Sequence, residues 1–284
     1  MTISALWLFS VALGASALGG VLGMASGIFI VPILTLFGHL DIRAAIGASI
    51  VSVIACSCGS AAPFLRGHLT NIKLAIVLEV ATTLGALTGV LLAGTVPTNF
   101  LFLLFAAVLV VSAIQMLMRR KGPTLATVQP SGGWSDRLEL NSSYFDRERQ
   151  QVTSYSVTRV PMGLGLMYGA GLISALLGIG SGVLKIPAMD TALRLPIKVS
   201  SATSNFMIGV TAAASAGAYF MRGEIVPSIA GPIVLGSVVG SIAGARYVIG
   251  ASSDKLRVLF VIVLLLLAVQ MLLSVFGIHL GGRT

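Results

Sequence analysis

Long apolar stretches separated by short polar gaps dominate the chain. Apolar runs occupy residues 4–37, 43–64, 72–94 and 99–118; after a polar stretch at 119–160 they resume at 161–193, 199–221, 225–250 and 256–276. A helix needs ~20 apolar residues to cross a bilayer, so the pattern predicts four membrane runs, a linker and four more. The first run of each half is too long for one span. Residues 4–37 as a single helix would measure ~51 Å at 1.5 Å per residue, against a hydrocarbon core of ~30 Å. Small residues interrupt each of these runs, Gly23-Met24-Ala25-Ser26-Gly27 and Gly178-Ile179-Gly180-Ser181-Gly182, with Pro32 or Pro187 following five residues later. Gly costs ~1 kcal/mol in a helix interior and Pro about 3. Two shorter helices joined at a break are therefore expected in each half, rather than one long kinked helix packed through its glycines. At the N-terminus, Ala15-Ser16-Ala17 has the form of a small-residue cleavage site, but no positive residue precedes the run and it continues to Phe37. Signal-peptide cores are ~7–15 residues, so a retained membrane segment is expected.

The halves repeat at an offset of 155 residues. Gly23, Ser26, Gly27 and Pro32 fall on Gly178, Ser181, Gly182 and Pro187. Ile42, Ser49 and Ser60 fall on Ile197, Ser204 and Ser215, and Gly85 and Gly89 on Gly240 and Gly244. Phe105, Ala113, Gln115, Met116 and Leu117 fall on Phe260, Ala268, Gln270, Met271 and Leu272. Apolar composition would match Leu and Ala by chance, but not Gly, Pro and Gln in one register. Duplicated halves are a common build of secondary transporters. The expected fold class is an all-α polytopic membrane protein with two homologous four-run halves. It has about eight membrane segments, the first of each half broken or re-entrant. The domains are a first transmembrane repeat at 1–118, a polar cytoplasmic linker at 119–160 and a second transmembrane repeat at 161–284.

Composition supports the membrane reading. The chain of 284 residues is 56% hydrophobic and 10% charged, against about 25% charged in a soluble domain. Such a chain cannot cover a water-facing surface, which excludes a soluble enzyme and a disordered protein. The net charge of +9 arises from Lys and Arg scattered through the gaps. This favours the positive-inside rule over nucleic-acid binding. The linker holds Arg119, Arg120, Lys121, Arg137, Arg147, Arg149 and Arg159, which puts it in the cytoplasm. If each half crosses an odd number of times, the repeats are inverted. Arg66, Lys73, Arg194, Lys198, Arg246, Lys255 and Arg257 then lie inside too, leaving Arg43, Arg222 and Arg283 outside. A parallel arrangement puts Arg66, Lys73, Arg222 and Arg283 inside and the other six outside, so inversion is expected. Cys56 and Cys58 are two residues apart in an apolar run, where a helix points them to different sides; neither a disulfide nor a metal site is expected.

The breaks carry the candidate chemistry. A helix N-terminus holds about half a positive charge and attracts anions. Gly27 and Gly182 open the second half-helices, with Ser26 and Ser181 in position to cap them and Gly180 just before the second. Two such ends meeting near the midplane would form an anion-binding pocket; the alternative is that the small residues only let helices pack. Lys185 lies four residues after Ser181 and its first-half counterpart is Ile30. An ionisable residue at this depth points to function: substrate contact, or else an ion pair with Asp190 or snorkelling. Glu79 interrupts the third run without a carboxylate counterpart. It is the candidate for proton coupling, the alternative being a structural hydrogen bond or an interfacial position. Thr203, Ser204 and Asn205, near the start of the run at 199–221, are further candidates to bond an oxyanion. Ser200 and Ser201 beside them can simply start the helix. His39, His68 and His279 show no metal-ligand spacing. No nucleophile–base pair, metal set or cofactor motif is present.

These residues also carry a family resemblance. The stretch from Gly169 to Pro187 resembles the sulfite exporter TauE/SafE family, also called the toluene-sulfonate uptake permease family. Pro196-Ile197-Lys198 followed by Ala202-Thr203-Ser204 is similar to a second block of that family, Ser143-Tyr144-Phe145-Asp146 to its linker, and Gly23 to Pro32 more loosely to its first-half break. Where the family has Gly-x-Gly-Gly-Gly, this chain has Ser181 for the middle glycine of the triplet and Ala25 and Ser26 for two glycines of the first half. The resemblance implies a multi-pass inner-membrane transporter of small sulfur-containing anions such as sulfite, sulfonates or sulfoacetate. The expected partners are the small anionic substrate, the lipid bilayer and protons as coupling ion. A passive anion channel and a membrane-embedded enzyme or accessory protein are the alternatives.

Overall fold

The computed structural model describes residues 4–22, 25–66, 69–118, 133–146, 151–247, 261–262 and 265–273. The first half comprises α1 (Ala5–Leu22), α2 (Gly27–Leu36), α3 (Ile42–Arg66), α4 (Ile72–Ala93) and α5 (Thr98–Met118). The linker forms a short helix, α6 (Trp134–Arg137), and a hairpin of β1 (Ser142–Asp146) and β2 (Gln151–Tyr155), antiparallel with Ser142 opposite Tyr155. The second half comprises α7 (Val160–Leu177), α8 (Gly182–Thr191), α9 (Ile197–Met221) and α10 (Pro227–Tyr247); residues 265–273 are also helical. Gly23, Met24, His68 and His279 lie outside the described residues, as do Arg119, Arg120, Lys121, Arg147, Arg149, Lys255, Arg257, Arg283 and much of the run expected at 256–276.

Among the described residues, four helices are long and apolar enough to cross a membrane: Ile42–Ala61, Ile72–Ala93, Val160–Leu177 and Pro227–Gly244. Ala5–Gly20, Gly27–Leu36 and Thr98–Ile114 are shorter apolar helices. α9 matches α3 in its 25 residues, but its Ser, Thr, Asn and Gly content lowers its apolarity. The chain is thus a mostly helical membrane protein.

The repeat is visible in the element boundaries. α2 and α8 are both ten residues long and start 155 residues apart, at Gly27 and Gly182. α1 and α7, and α3 and α9, correspond at the same offset. The most extensive helix contacts join one half to the other: α1 on α10, α4 on α7, and α3 on α9. Glycines make two of them close. A Cβ built on Gly240 would lie 2.2 Å from the Leu13 carbonyl oxygen, and one on its counterpart Gly85 would lie 2.0 Å from the Tyr168 oxygen, itself the counterpart of Leu13. Small residues that let backbones approach are the usual glue of helices in lipid. The outer faces carry exposed Ile76, Val80, Leu84, Leu87 and Leu91 on α4, and Leu235, Val239 and Ile242 on α10.

Close contacts fix directions and ends. Gly47 of α3 lies against the Glu224 backbone, and Ser57 Oγ donates to the Asn205 carbonyl at 2.5 Å. Residue numbers rise along α3 as they fall along α9, so these two equivalent helices run antiparallel. At one end, Asn71 Nδ2 donates to the Leu140 carbonyl and to Tyr155 Oη, at 2.8 and 3.1 Å. The Thr158 N–H donates to the Leu193 carbonyl there. This end therefore gathers the α3–α4 loop, the linker and the α8–α9 loop. At the other end, Arg43 donates to the Val96 carbonyl at 3.1 Å and Arg222 approaches Gly94. This end gathers the α2–α3, α4–α5 and α9–α10 loops. Leu193, just past α8, also packs on Gly163 near the start of α7, so the α7–α8 unit returns to the end from which it began.

Candidate functional site

Both breaks lie against the middle of α3 and touch each other. Gly178 ends α7 in the left-handed conformation at φ 62°, its N–H bonded to the Ser174 carbonyl, the usual way a glycine stops a helix. Gly180 is also left-handed, at φ 74°. Its counterpart Ala25 takes φ 43°, a region that costs an L-residue about 1–2 kcal/mol. A Cβ on Gly180 would lie 2.5 Å from the Ala25 Cβ, and one on Gly27 would lie 2.4 Å from the Gly178 carbonyl oxygen. The two halves therefore meet break to break, and a side chain at Gly27 or Gly180 would force them apart.

The hydroxyls at the breaks differ between halves. Ser26 and Ser181 occupy the position before each half-helix, but neither caps it with its side chain. Both have right-handed helical backbone angles rather than the extended ones typical of an N-cap. This corrects the capping role expected of them. Ser26 Oγ instead bonds Ser52 Oγ at 2.8 Å, which bonds Ser237 Oγ at 2.6 Å. The counterpart of Ser52 is Met207, so Ser181 finds no equivalent. Among the described residues its buried hydroxyl has no hydrogen-bond partner, and neither do Ser204 Oγ and Asn205 Nδ2 on α9. Asn205 engages Ser57 through its backbone carbonyl, leaving the amide nitrogen open. Ser204 is one helical turn from Ile208, which approaches Gly180. Its counterpart Ser49 donates to the Gly178 carbonyl at 2.7 Å. Buried polar groups are nearly always hydrogen-bonded, so these unpartnered atoms at the start of α8 and on α9 are significant; the hydroxyls of Ser16, Thr70 and Ser200 are likewise buried without a partner among the described residues.

Lys185 and Glu79 meet. The Lys185 ammonium, with no exposed surface, lies 3.1 Å from Glu79 Oε2, whose side chain is 11% exposed. It also donates to Thr211 Oγ1 at 2.7 Å, and Thr211 Oγ1 bonds Glu79 Oε1 at 2.5 Å. Two of the three ammonium hydrogens are thereby used. Side chains in a helix lean toward its N-terminus, so Lys185 reaches back over the turn that Ser181 opens. Gly182, buried at the start of α8, keeps that turn small.

Of the residues singled out in the sequence, Gly180, Ser181 and Gly182 form the second break and Lys185 lies one turn into α8; Ser204 and Asn205 lie on α9 about one turn before Ile208, which approaches Gly180, and Glu79 joins through Lys185. Ser26 and Gly27 belong to the first break and its hydroxyl chain. Thr203 does not join them: its hydroxyl accepts the Asn71 N–H at 3.2 Å, at the linker end. Thr211 was not anticipated, although it bridges both charges. Its only sequence signal is its place two turns beyond Ser204 on the same helix.

The family model of the sulfite exporters TauE/SafE matches residues 8–271. The chain belongs to the TauE/SafE family. It is similar to the "Probable membrane transporter protein YunE" of Bacillus subtilis (strain 168), at 22% identity over 91% of this chain and 93% of that protein. It is also similar to the "Probable membrane transporter protein YdhB" of the same organism, at 23% identity over 80% of this chain and 84% of that protein. No solved structure gives a significant match. Membership of the TauE/SafE family, together with the names of these relatives, supports a membrane transporter.

Proposed function

We propose that this TauE/SafE protein is a secondary transporter of a small sulfur-containing anion, such as sulfite, a sulfonate or sulfoacetate, bound at the second break. The observation that carries the reading is that three buried polar atoms at the start of α8 and on α9, Ser181 Oγ, Ser204 Oγ and Asn205 Nδ2, have no hydrogen-bond partner among the described residues, while the buried ammonium on α8 has a hydrogen to spare. Hydroxyl, amide and ammonium hydrogens together suit an oxyanion with several acceptor oxygens. The start of α8 adds the positive end of a helix dipole. The sulfur is supplied by the family alone.

In this reading the protein sits in the inner (plasma) membrane with inverted halves and a cytoplasmic linker. The antiparallel run of the equivalent helices α3 and α9 supports inversion. So does the sorting of charge between ends: Lys73, Arg194 and Lys198 lie with the linker, Arg43 and Arg222 opposite. The domain limits 1–118, 119–160 and 161–284 fit the same scheme.

The test is a thermal-shift screen of purified protein against sulfite, sulfonates, sulfate and carboxylates, followed by uptake into proteoliposomes. Sulfite or a sulfonate should stabilise the protein, and Lys185→Ala and Gly182→Leu should each abolish transport while the protein still folds. Stabilisation by carboxylates alone would overturn the sulfur reading. Normal transport by both variants would overturn the site.

A further inference from the structure

Glu79, Lys185 and Thr211 form a buried cluster that the repeat itself does not require. Their counterparts are Val234 of α10, Ile30 of α2 and Cys56 of α3, so the equivalent place on the other side carries no charge. Buried ion pairs are often no more stabilising than apolar residues of similar size, so packing alone gives no reason for charge here.

We infer that the Glu79–Lys185 pair makes transport electroneutral: a singly charged anion enters the second break only together with one proton, which Glu79 holds. This rests on the anion site proposed above. In the empty site the two charges cancel. An anion on Lys185 while Glu79 stays ionised would leave one uncompensated negative charge among α4, α8 and α9, where burial without a partner is very costly. A proton on Glu79 removes that charge and frees Lys185 to face the anion, and the loaded site is again neutral. The proton count does not depend on where the empty pair keeps its own proton. Glu79⁻ with Lys185⁺ and neutral Glu79 with neutral Lys185 hold the same number, and the loaded site holds one more. Anion and proton therefore travel in the same direction.

The surroundings leave few other groups to supply the effect. Among the described residues, the groups facing the Glu79 carboxylate are the Lys185 ammonium from α8 and the hydroxyls of Thr211 from α9 and Thr83 from α4 itself, the last at 3.3 Å. α7, which packs along α4, has no charged residue, and α9 has none between Lys198 and its end at Met221. Thr211 positions both charges through one oxygen.

The experiment is calorimetric titration of the purified full chain with methanesulfonate, which remains a monoanion throughout, in buffers of different ionisation heat between pH 6 and 8. The expected result is uptake of about one proton per anion bound and affinity falling about tenfold per pH unit. Sulfate, with two charges, should bind at least about tenfold more weakly, the step one uncompensated charge sets at minimum. Wild-type binding without proton uptake would overturn the coupling and leave the anion site standing. Binding of none among methanesulfonate, sulfite and sulfate would overturn the anion site, and the coupling with it.

Discussion

Removing one member of the buried charge pair should be far more damaging than removing both. Glu79→Leu leaves the Lys185 ammonium, which has no exposed surface, with the Thr211 hydroxyl as its one remaining acceptor among the described residues. Breaking a buried pair in this way costs about 3–5 kcal/mol. The surviving bond to Thr211, 2.7 Å long, places the expected loss near the lower limit, at about 3 kcal/mol. Glu79→Leu combined with Lys185→Met restores the apolar character that their counterparts Val234 and Ile30 have. It should lie within about 1 kcal/mol of wild type. The assay is reversible unfolding in mixed detergent and SDS micelles, followed by circular dichroism, on wild type, both single variants and the double variant. A double-mutant cycle then gives the coupling energy directly. Additive losses, or a cost below about 1 kcal/mol for Glu79→Leu, would refute the claim that the two charges depend on each other.

Ser181→Ala should separate stability from function. Deleting an unpartnered buried hydroxyl should leave stability unchanged or raise it by about 1 kcal/mol, while anion affinity falls; a loss of stability would show that Ser181 is bonded. Ser26→Ala, which breaks a bond to Ser52, should instead cost about 1 kcal/mol in the same unfolding assay. Gly240→Ala places a methyl 2.2 Å from the Leu13 oxygen and should cost about 1–3 kcal/mol. Gly14→Ala, with nothing within 4 Å, should be neutral or stabilising, and equal effects would refute the close-packing account. At the linker, the hydrogen bond and charge of Lys73 hold the exposed Glu139 carboxyl below its ordinary value. Any contribution of that pair is present above the ordinary carboxylate range and lost as pH falls through the lowered value. Both side chains are solvated, so Glu139→Gln should leave the unfolding midpoint unchanged. Asn71→Ala removes the α4 cap at Leu74 N and two linker bonds and should lower it, a cap alone being worth about 1 kcal/mol.

The helix breaks were legible because glycine and proline act locally: a left-handed turn at Gly178 and Gly180 needs no distant partner to be foreseen. The repeat was legible for the same reason, since Gly85 and Gly240 face equivalent carbonyls and neither tolerates a side chain. Lys185 and Glu79 stood out singly as charges in apolar runs. Their pairing did not, because it depends on α4 and α8 meeting across 106 residues, and the nearer Asp190 was the partner sequence proximity offered. Thr203 was grouped with Ser204 and Asn205 because all three are polar neighbours. Successive helix positions turn by about 100°, and that rotation sends Thr203 to Asn71 and the linker. The orphaned state of Ser181 was invisible in its own segment; it follows from a methionine at position 207, where the other half has Ser52.

Because the largest helix contacts all cross from one half to the other, neither half owns its own interior. The first half alone would expose Gly85 and Gly89 without α7, and the second would expose Gly236, Gly240 and Gly244 without α1. A single repeat would therefore fill these contacts only as a pair of identical chains, its break meeting its own copy. Only after fusion could the two sides diverge, one keeping a neutral row of hydroxyls and the other acquiring an acid and a base, an asymmetry that identical partners could never hold.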